Sequence, residues 1–288
     1  MPTEVKTIAV LGAGIMGSGI AQIAAAGGYQ VILRDLQAAL VQKGIQVIET
    51  SLAKKVAQGV MTAEQKDQIL SRITGVSDIS EISGSDMVIE AIIENLSVKK
   101  QVFAELDSLC GENAVLASAT SSLSITEIAS ATSHPDRVIG LHFFYPVPAM
   151  RVVEVVRGID TSDEMVRRSV EVIRNMGKEP ITVGRDSPGY VVNRIMATML
   201  NEAVWLLAEG YAAKEEIDEA MRLGAGFPYG MLEYIDRAGL DNVYSWIMLL
   251  HDEFRDPKYR PHPLFSTMVR AGHYGKKTGK GFYRYDKE

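Results

Sequence analysis

A histidine and a glutamate on neighbouring apolar runs give the first indication of chemistry. His142 follows the run Arg137 to Leu141 and precedes F-F-Y-P-V-P, whereas Glu154 interrupts M-R-V-V-E-V-V-R with two valines on either side. A carboxylate in such a run is costly to bury unless a partner meets it. An imidazole delivered by the preceding strand is the natural partner. So paired, the carboxylate fixes the imidazole tautomer and supports its protonated form, which suits the pair to general acid-base work. The other histidines, His134, His251, His262 and His273, stand in polar or helical contexts that require no special role.

A second constellation lies near the N-terminus. The apolar run Ile8 to Leu11 breaks into Gly12, Ala13, Gly14, Ile15, Met16 and Gly17, continues as an Ala-rich segment suited to a helix, and re-emerges as Val31 to Leu33 before Asp35. In this strand, turn, helix, strand and acid order, Gly12 permits a tight turn and Gly14 admits a pyrophosphate close to the backbone. Gly17 lets the helix pack against the strand, and the helix N-terminus faces the phosphates. Asp35, eighteen residues beyond Gly17, is placed to accept hydrogen bonds from an adenosine ribose. Residues 7 to 33 carry no charge and are long enough to span a bilayer, with Ala24-Ala25-Ala26 resembling an export-cleavage site. The six glycines between Gly12 and Gly28, and the weak positive flank of Lys6 beside Glu4, favour the nucleotide reading instead.

The elements that must position these residues follow in order. A helix is expected from Asp35 to about Gly59, with Ser51, Lys54 and Lys55 near its end, and another from Thr62 to Arg72 opened by a Thr62/Gln65 capping box. Asp86 to Ala91 reads as a buried parallel strand, with Glu94 and Lys99 following it toward the ligand crevice of an open α/β sheet. Ala114 to Ser118 is the next strand, ending in S-A-T-S-S. It presents the Ser118 hydroxyl before a helix opened by Ser124 and Glu127. After a helix from Ser162 to Met176 and a strand from Lys178 to Val183, the turn-rich G-R-D-S-P-G marks a boundary. The expected organisation is a doubly wound, Rossmann-type α/β domain over residues 1–185 and a smaller all-helical domain over 186–288. The latter's apolar helices suggest docking on another copy. The tail K-K-T-G-K-G-F-Y-R-Y reads as a surface strap.

Composition is that of an ordinary globular protein, with 47% hydrophobic and 23% charged residues. The net charge of −6 argues against nucleic acid as a partner. The single cysteine, Cys110, excludes an internal disulfide framework and fits a reducing compartment such as the cytoplasm.

V-L-G-A-G-I-M-G-S-G-I-A-Q, V-I-E-A-I-I-E-N, S-S-L-S-I-T-E-I-A, H-F-F-Y-P-V-P, V-E-V-V-R-G, P-G-Y-V-V-N-R and G-K-G-F-Y occur in this order. Across nearly its whole length the chain resembles the 3-hydroxyacyl-CoA dehydrogenase family, especially its short-chain members. The resemblance implies reversible oxidation of (S)-3-hydroxyacyl-CoA, with 3-hydroxybutyryl-CoA the expected substrate. The implied cofactor is NAD, with NADP the alternative that Arg34 beside Asp35 leaves open, and a homodimer is implied. It puts the catalytic histidine at His142, its glutamate at Glu154, the substrate serine at Ser118 and a site-completing asparagine at Asn193. Asp35, Glu94, Lys99, Ser118 and Lys277 match cofactor contacts, and Ser51 and Lys54 match a region that meets the CoA nucleotide. Ala119 and Tyr145 replace asparagines usual in the family, and Pro228-Tyr229-Gly230-Met231-Leu232 alters another family motif. Ala119 and Tyr145 together suggest a rearranged pocket in which the Tyr145 ring turns inward beside Ala119, the alternative being that the ring packs outward and leaves an ordinary short-chain pocket. Two other readings are a dehydrogenase of free hydroxy acids and a non-catalytic dinucleotide-binding module. The first expects a lysine where Gly189 stands, and His142 with Glu154 speaks against the second.

Overall fold

A computed structural model describes residues 4–285, which divide into two compact units between Ser187 and Pro188. In the first unit β1 (Thr7–Leu11), α1 (Ile15–Ala26), β2 (Gln30–Arg34), α2 (Ala38–Ala57), α3 (Ala63–Ser71), β3 (Ile73–Val76) and β4 (Met87–Glu90) form the first half. Then come α4 (Leu96–Leu109), β5 (Val115–Ser118), α5 (Ile125–Ala129), β6 (Val138–Phe143), β7 (Val152–Arg157), α6 (Asp163–Asn175) and β8 (Glu179–Val183). Among the described residues eight strands make one sheet in the order β3-β2-β1-β4-β5-β6-β7-β8. All neighbours are parallel except β6 and β7. Strands β4, β5 and β6 are buried at every position, as expected of parallel strands covered on both faces, and their runs are accordingly apolar rather than alternating.

The chain winds outward from β1 to β3 and then crosses back to lay β4 on the other side of β1. That reversal opens a crevice at the C-terminal ends of β1 and β4, where ligands of such sheets bind. The two edges show why the outer strands are weaker signals: β3 contains Gly75 and β8 contains Pro180, which an edge strand tolerates. The 7–33 stretch becomes β1, α1 and the start of β2, and among the described residues no helix is long and apolar enough to cross a membrane.

The second unit is helical, with α7 (Val192–Ala208), α8 (Lys214–Ala225), α9 (Met231–Ala238), α10 (Leu240–Phe254) and α11 (Pro263–Arg270). Leu200, Val204, Ile235, Val243, Ile247 and Phe265 form its core. Its tail is more than a surface strap, because Phe282 is buried in that core. The Asp236 carboxylate accepts the Phe282 and Tyr283 amides at 2.9 and 2.8 Å and the Tyr285 hydroxyl at 3.2 Å. Burial, followed by the nearby Asp218 charge, outweighs these hydrogen bonds and raises the Asp236 pKa above the ordinary carboxylate value.

Candidate active site

The glycine turn is built for close approach. Gly12 adopts φ +98°, and a side chain on it would strike the Ala91 carbonyl oxygen. One on Gly17 would strike the carbonyl oxygen of Gly12. At Gly14, by contrast, an added carbon would meet nothing within 4 Å. Gly14 is also the N-cap of α1, which has neither a side-chain cap nor an acid in its first turn, so its amide donors remain available to an anion. Asp35 directly follows β2 and braces the turn, one oxygen accepting Ala13 N–H at 2.7 Å and the other Leu36 N–H at 2.7 Å.

Beside the turn lies a cleft of 720 Å³, walled by Leu36, Leu40, Val47 and Ile93 and edged by Arg34 and Asp35. Leu36 and Ile93 are 76% and 66% exposed. Clustered exposed apolar side chains around a polar corner suit a flat heterocycle joined to a sugar. The open position at Gly14, the uncapped helix and the acid therefore fit a dinucleotide.

The next two strands end in a network of buried charge. Glu90, the last residue of β4, lies beside Ser118, the last of β5. Lys99 reaches back from α4 to place its ammonium 2.5 Å from Glu90 Oε1 and 3.3 Å from Glu94 Oε2. Ser118 donates to Glu90 Oε2 at 2.7 Å. Glu94 accepts from the hydroxyls of Thr120 and Ser122 at 2.5 and 2.9 Å and from Ser121 N–H at 3.3 Å. Burial pushes the Glu94 pKa upward, but the Lys99 charge and the two hydroxyls outweigh it and leave its carboxyl below the usual value. Lys99 is 1% exposed, so its ammonium is committed to two carboxylates rather than turned outward.

His142 and Glu154 stand directly opposite one another on the antiparallel pair β6 and β7. Nδ1 lies 2.6 Å from Glu154 Oε2; the residues are 4% and 0% exposed, respectively. The antiparallel register places both side chains on one face of the sheet, and β6 carries His142 to the strand-end edge where β5 carries Ser118. After Phe143 the chain turns through a cis Tyr145–Pro146 bond. Lys178 supports this turn, donating to the carbonyls of Val147, Pro148 and Met150 at 2.8, 3.2 and 2.7 Å.

Among the remaining expected positions, Tyr145 alone departs from the orientation expected of it. Tyr145 is 67% exposed, so its ring is not enclosed beside Ala119, which packs on the sheet core. Ser51 and the exposed Lys54 lie on successive turns of α2. Asn193 and Lys277 belong to the second unit, Asn193 in the first turn of α7 and Lys277 paired with Asp241 at 2.6 Å. In that unit the Tyr229 ring lies 4.3 Å from the Arg237 guanidinium. Glu90 and Lys178 escape a reading of sequence pattern. Glu90 merely ends an apolar run, although a carboxylate in D-M-V-I-E-A poses the same burial problem that singles out Glu154.

Two family models match the chain. "3-hydroxyacyl-CoA dehydrogenase, NAD binding domain" covers residues 7–187, and "3-hydroxyacyl-CoA dehydrogenase, C-terminal domain" covers residues 189–285. A 3-hydroxybutyryl-CoA dehydrogenase of Clostridioides difficile is 46% identical over 280 residues, covering 97% of this chain and 99% of that protein. The mitochondrial hydroxyacyl-coenzyme A dehydrogenase of Homo sapiens is 42% identical, covering 98% and 91% of the two chains. The crystal structure of (S)-3-hydroxybutyryl-CoA dehydrogenase from Ralstonia eutropha superposes with a TM-score of 0.96 at 45% identity, covering 99% and 100%.

Proposed function

Because the chain belongs to the 3-hydroxyacyl-CoA dehydrogenase family and is an oxidoreductase interconverting (S)-3-hydroxyacyl-CoA and 3-oxoacyl-CoA with a nicotinamide cofactor, we propose that His142 and Glu154 are its acid-base pair, that NAD is the preferred cofactor and that four-carbon acyl chains are preferred. The observation that carries the pair is the 2.6 Å contact between His142 Nδ1 and Glu154. With Nδ1 engaged, proton exchange with substrate falls to Nε2. In oxidation Nε2 takes the proton of the C3 hydroxyl, and in reduction it returns that proton to the C3 oxygen. The buried Glu154 charge stabilises the imidazolium between these events. When bound, the nicotinamide supplies or accepts hydride at C3.

The glycine turn and the α1 amides hold the pyrophosphate in this reading, and Asp35 meets the adenosine ribose. A carboxylate braced there by two amides disfavours a 2′-phosphate, although Arg34 and Lys43 line the same cleft. Glu94, supported by Lys99, and Ser118 serve the reacting end. Ser51 and Lys54 serve the CoA nucleotide. Val191, Ile195, Tyr211 and Leu223 leave exposed apolar surface on the helical unit, which supports a homodimer.

Initial rates with acetoacetyl-CoA, measured with NADH and with NADPH, test the assignment. Turnover with a higher kcat/KM for NADH is expected, and acyl chains of four carbons should outperform those of eight. A clear NADPH preference overturns the cofactor choice, and no turnover with either cofactor overturns the substrate choice.

A further inference from the structure

We infer that Glu90 is a positioning residue for the reaction, acting through Ser118; the inference rests on the reading of Ser118 as a ligand contact. Glu90 is 0% exposed and pairs in register with Leu11 of β1 and with Ser118 of β5, at the end of the sheet where the glycine turn begins. A carboxylate buried there is tolerated only when its oxygens are satisfied. Oε1 accepts Ile92 N–H at 2.8 Å and the Lys99 ammonium at 2.5 Å, while Oε2 accepts the Ser118 hydroxyl at 2.7 Å. Neutralising Lys99 and satisfying the Ile92 amide require Oε1 alone. The bond from Oε2 to Ser118 is an additional constraint.

That constraint sets the polarity of the serine. An ionised carboxylate only accepts hydrogen bonds, so the single Ser118 proton is committed to Glu90. One Ser118 lone pair accepts Thr120 N–H at 3.3 Å. The remaining lone pair makes Ser118 an acceptor toward any ligand atom it meets. A glutamine at position 90 preserves shape but can present either an oxygen or an NH₂ group, so the serine proton is no longer held in one direction.

The test is a double-mutant cycle in the full chain with Glu90→Gln, Ser118→Ala and the pair, assayed with acetoacetyl-CoA and NADH. Expected is a loss of about tenfold in kcat/KM from Glu90→Gln alone but of less than about twofold on the Ser118→Ala background, the non-additivity of residues in contact. Any change in NADH affinity, read by fluorescence, should follow the same pattern, present for Glu90→Gln alone and absent on the Ser118→Ala background, because the glycine turn and Asp35 are untouched. Equal losses from Glu90→Gln in both backgrounds overturn the proposal while leaving the role of Ser118 standing. Wild-type turnover of Ser118→Ala overturns both. Thermal unfolding is recorded for each variant; if Glu90→Gln does not fold, Glu90→Asp, which keeps the charge but shortens the reach to Ser118, takes its place in the same cycle under the same criterion.

Discussion

The imidazole of His142 and the ammonium of Lys99 are both held by buried carboxylates, yet with different consequences. Nδ1 of His142 meets Glu154, and the proposed proton exchange is assigned to the other ring nitrogen, whereas the Lys99 ammonium is committed to Glu90 and Glu94. Replacing His142 with alanine should therefore lower kcat by about 10²–10⁴-fold with little change in NADH affinity, the usual contribution of a positioned acid-base group. Glu154→Gln should lower kcat in the same direction, since the amide retains the shape but not the charge that supports the imidazolium. Steady-state kinetics with fluorescence titration of NADH check both, and wild-type turnover in both variants would reduce the histidine to a strand-end residue. Side-chain orientation is the level at which sequence is least informative. Tyr145 reads as a large group replacing a polar one near the site, but the sequence does not reveal that its ring is exposed. Nor does an apolar run ending in glutamate reveal that Glu90 receives a lysine and a serine from two other elements.

At the level of elements, the tail of the second unit supplies the clearest test. Phe282 is held in the helical core by the Asp236 clamp, so Phe282→Ala should destabilise that unit by about 3 kcal/mol, near the lower end for large-to-small changes in cores. Urea unfolding monitored by far-UV circular dichroism would read it, and a cost below about 0.5 kcal/mol, typical of surface positions, would return the tail to the status of a loose strap. Most elements were legible because their signals are local. The glycine turn between two apolar runs, the Thr62 capping box and the long periodic helices each follow from a few neighbouring side chains. Strand β3 was not legible, because four residues including Gly75 carry too little pattern and form a strand only by pairing with β2. Helix α9 is eight residues long and opens behind F-P-Y-G, whose turn residues mask its periodicity. Ser124 does cap its helix, but it also donates to Asp186 at 2.6 Å, a long-range bond that no capping pattern announces.

For the whole molecule, two carboxylates, Glu94 in the first unit and Asp236 in the second, should contribute to the acid response with opposite signs. Glu94 has a depressed pKa, so its contribution to the first unit is complete above the unfolded carboxylate value and is lost as pH falls through the lower native value. Asp236 has a raised pKa, so the second unit binds a proton more readily when folded and gains stability as pH falls from that raised value toward the unfolded one. Hydrogen exchange followed separately in the two units from about pH 7 to pH 3, spanning ordinary carboxylate titration, should show the helical unit gaining protection before the sheet unit loses it. Asp236→Asn should abolish the first effect, and an unchanged slope in that variant would refute its assignment. The antiparallel step in the sheet has a further consequence, in the order of assembly. Residues 144–151 alone separate β6 from β7, whereas each parallel neighbour must await a longer crossover, and closing a short loop costs less chain entropy. The prediction is that pulse-labelled refolding protects β6 and β7 before β1 and β4, and simultaneous protection would refute it. On a nascent chain the proposed proton-transfer pair would then take shape while the helical unit is still unsynthesised, making the contact of His142 with Glu154 one of the oldest in the life of each molecule.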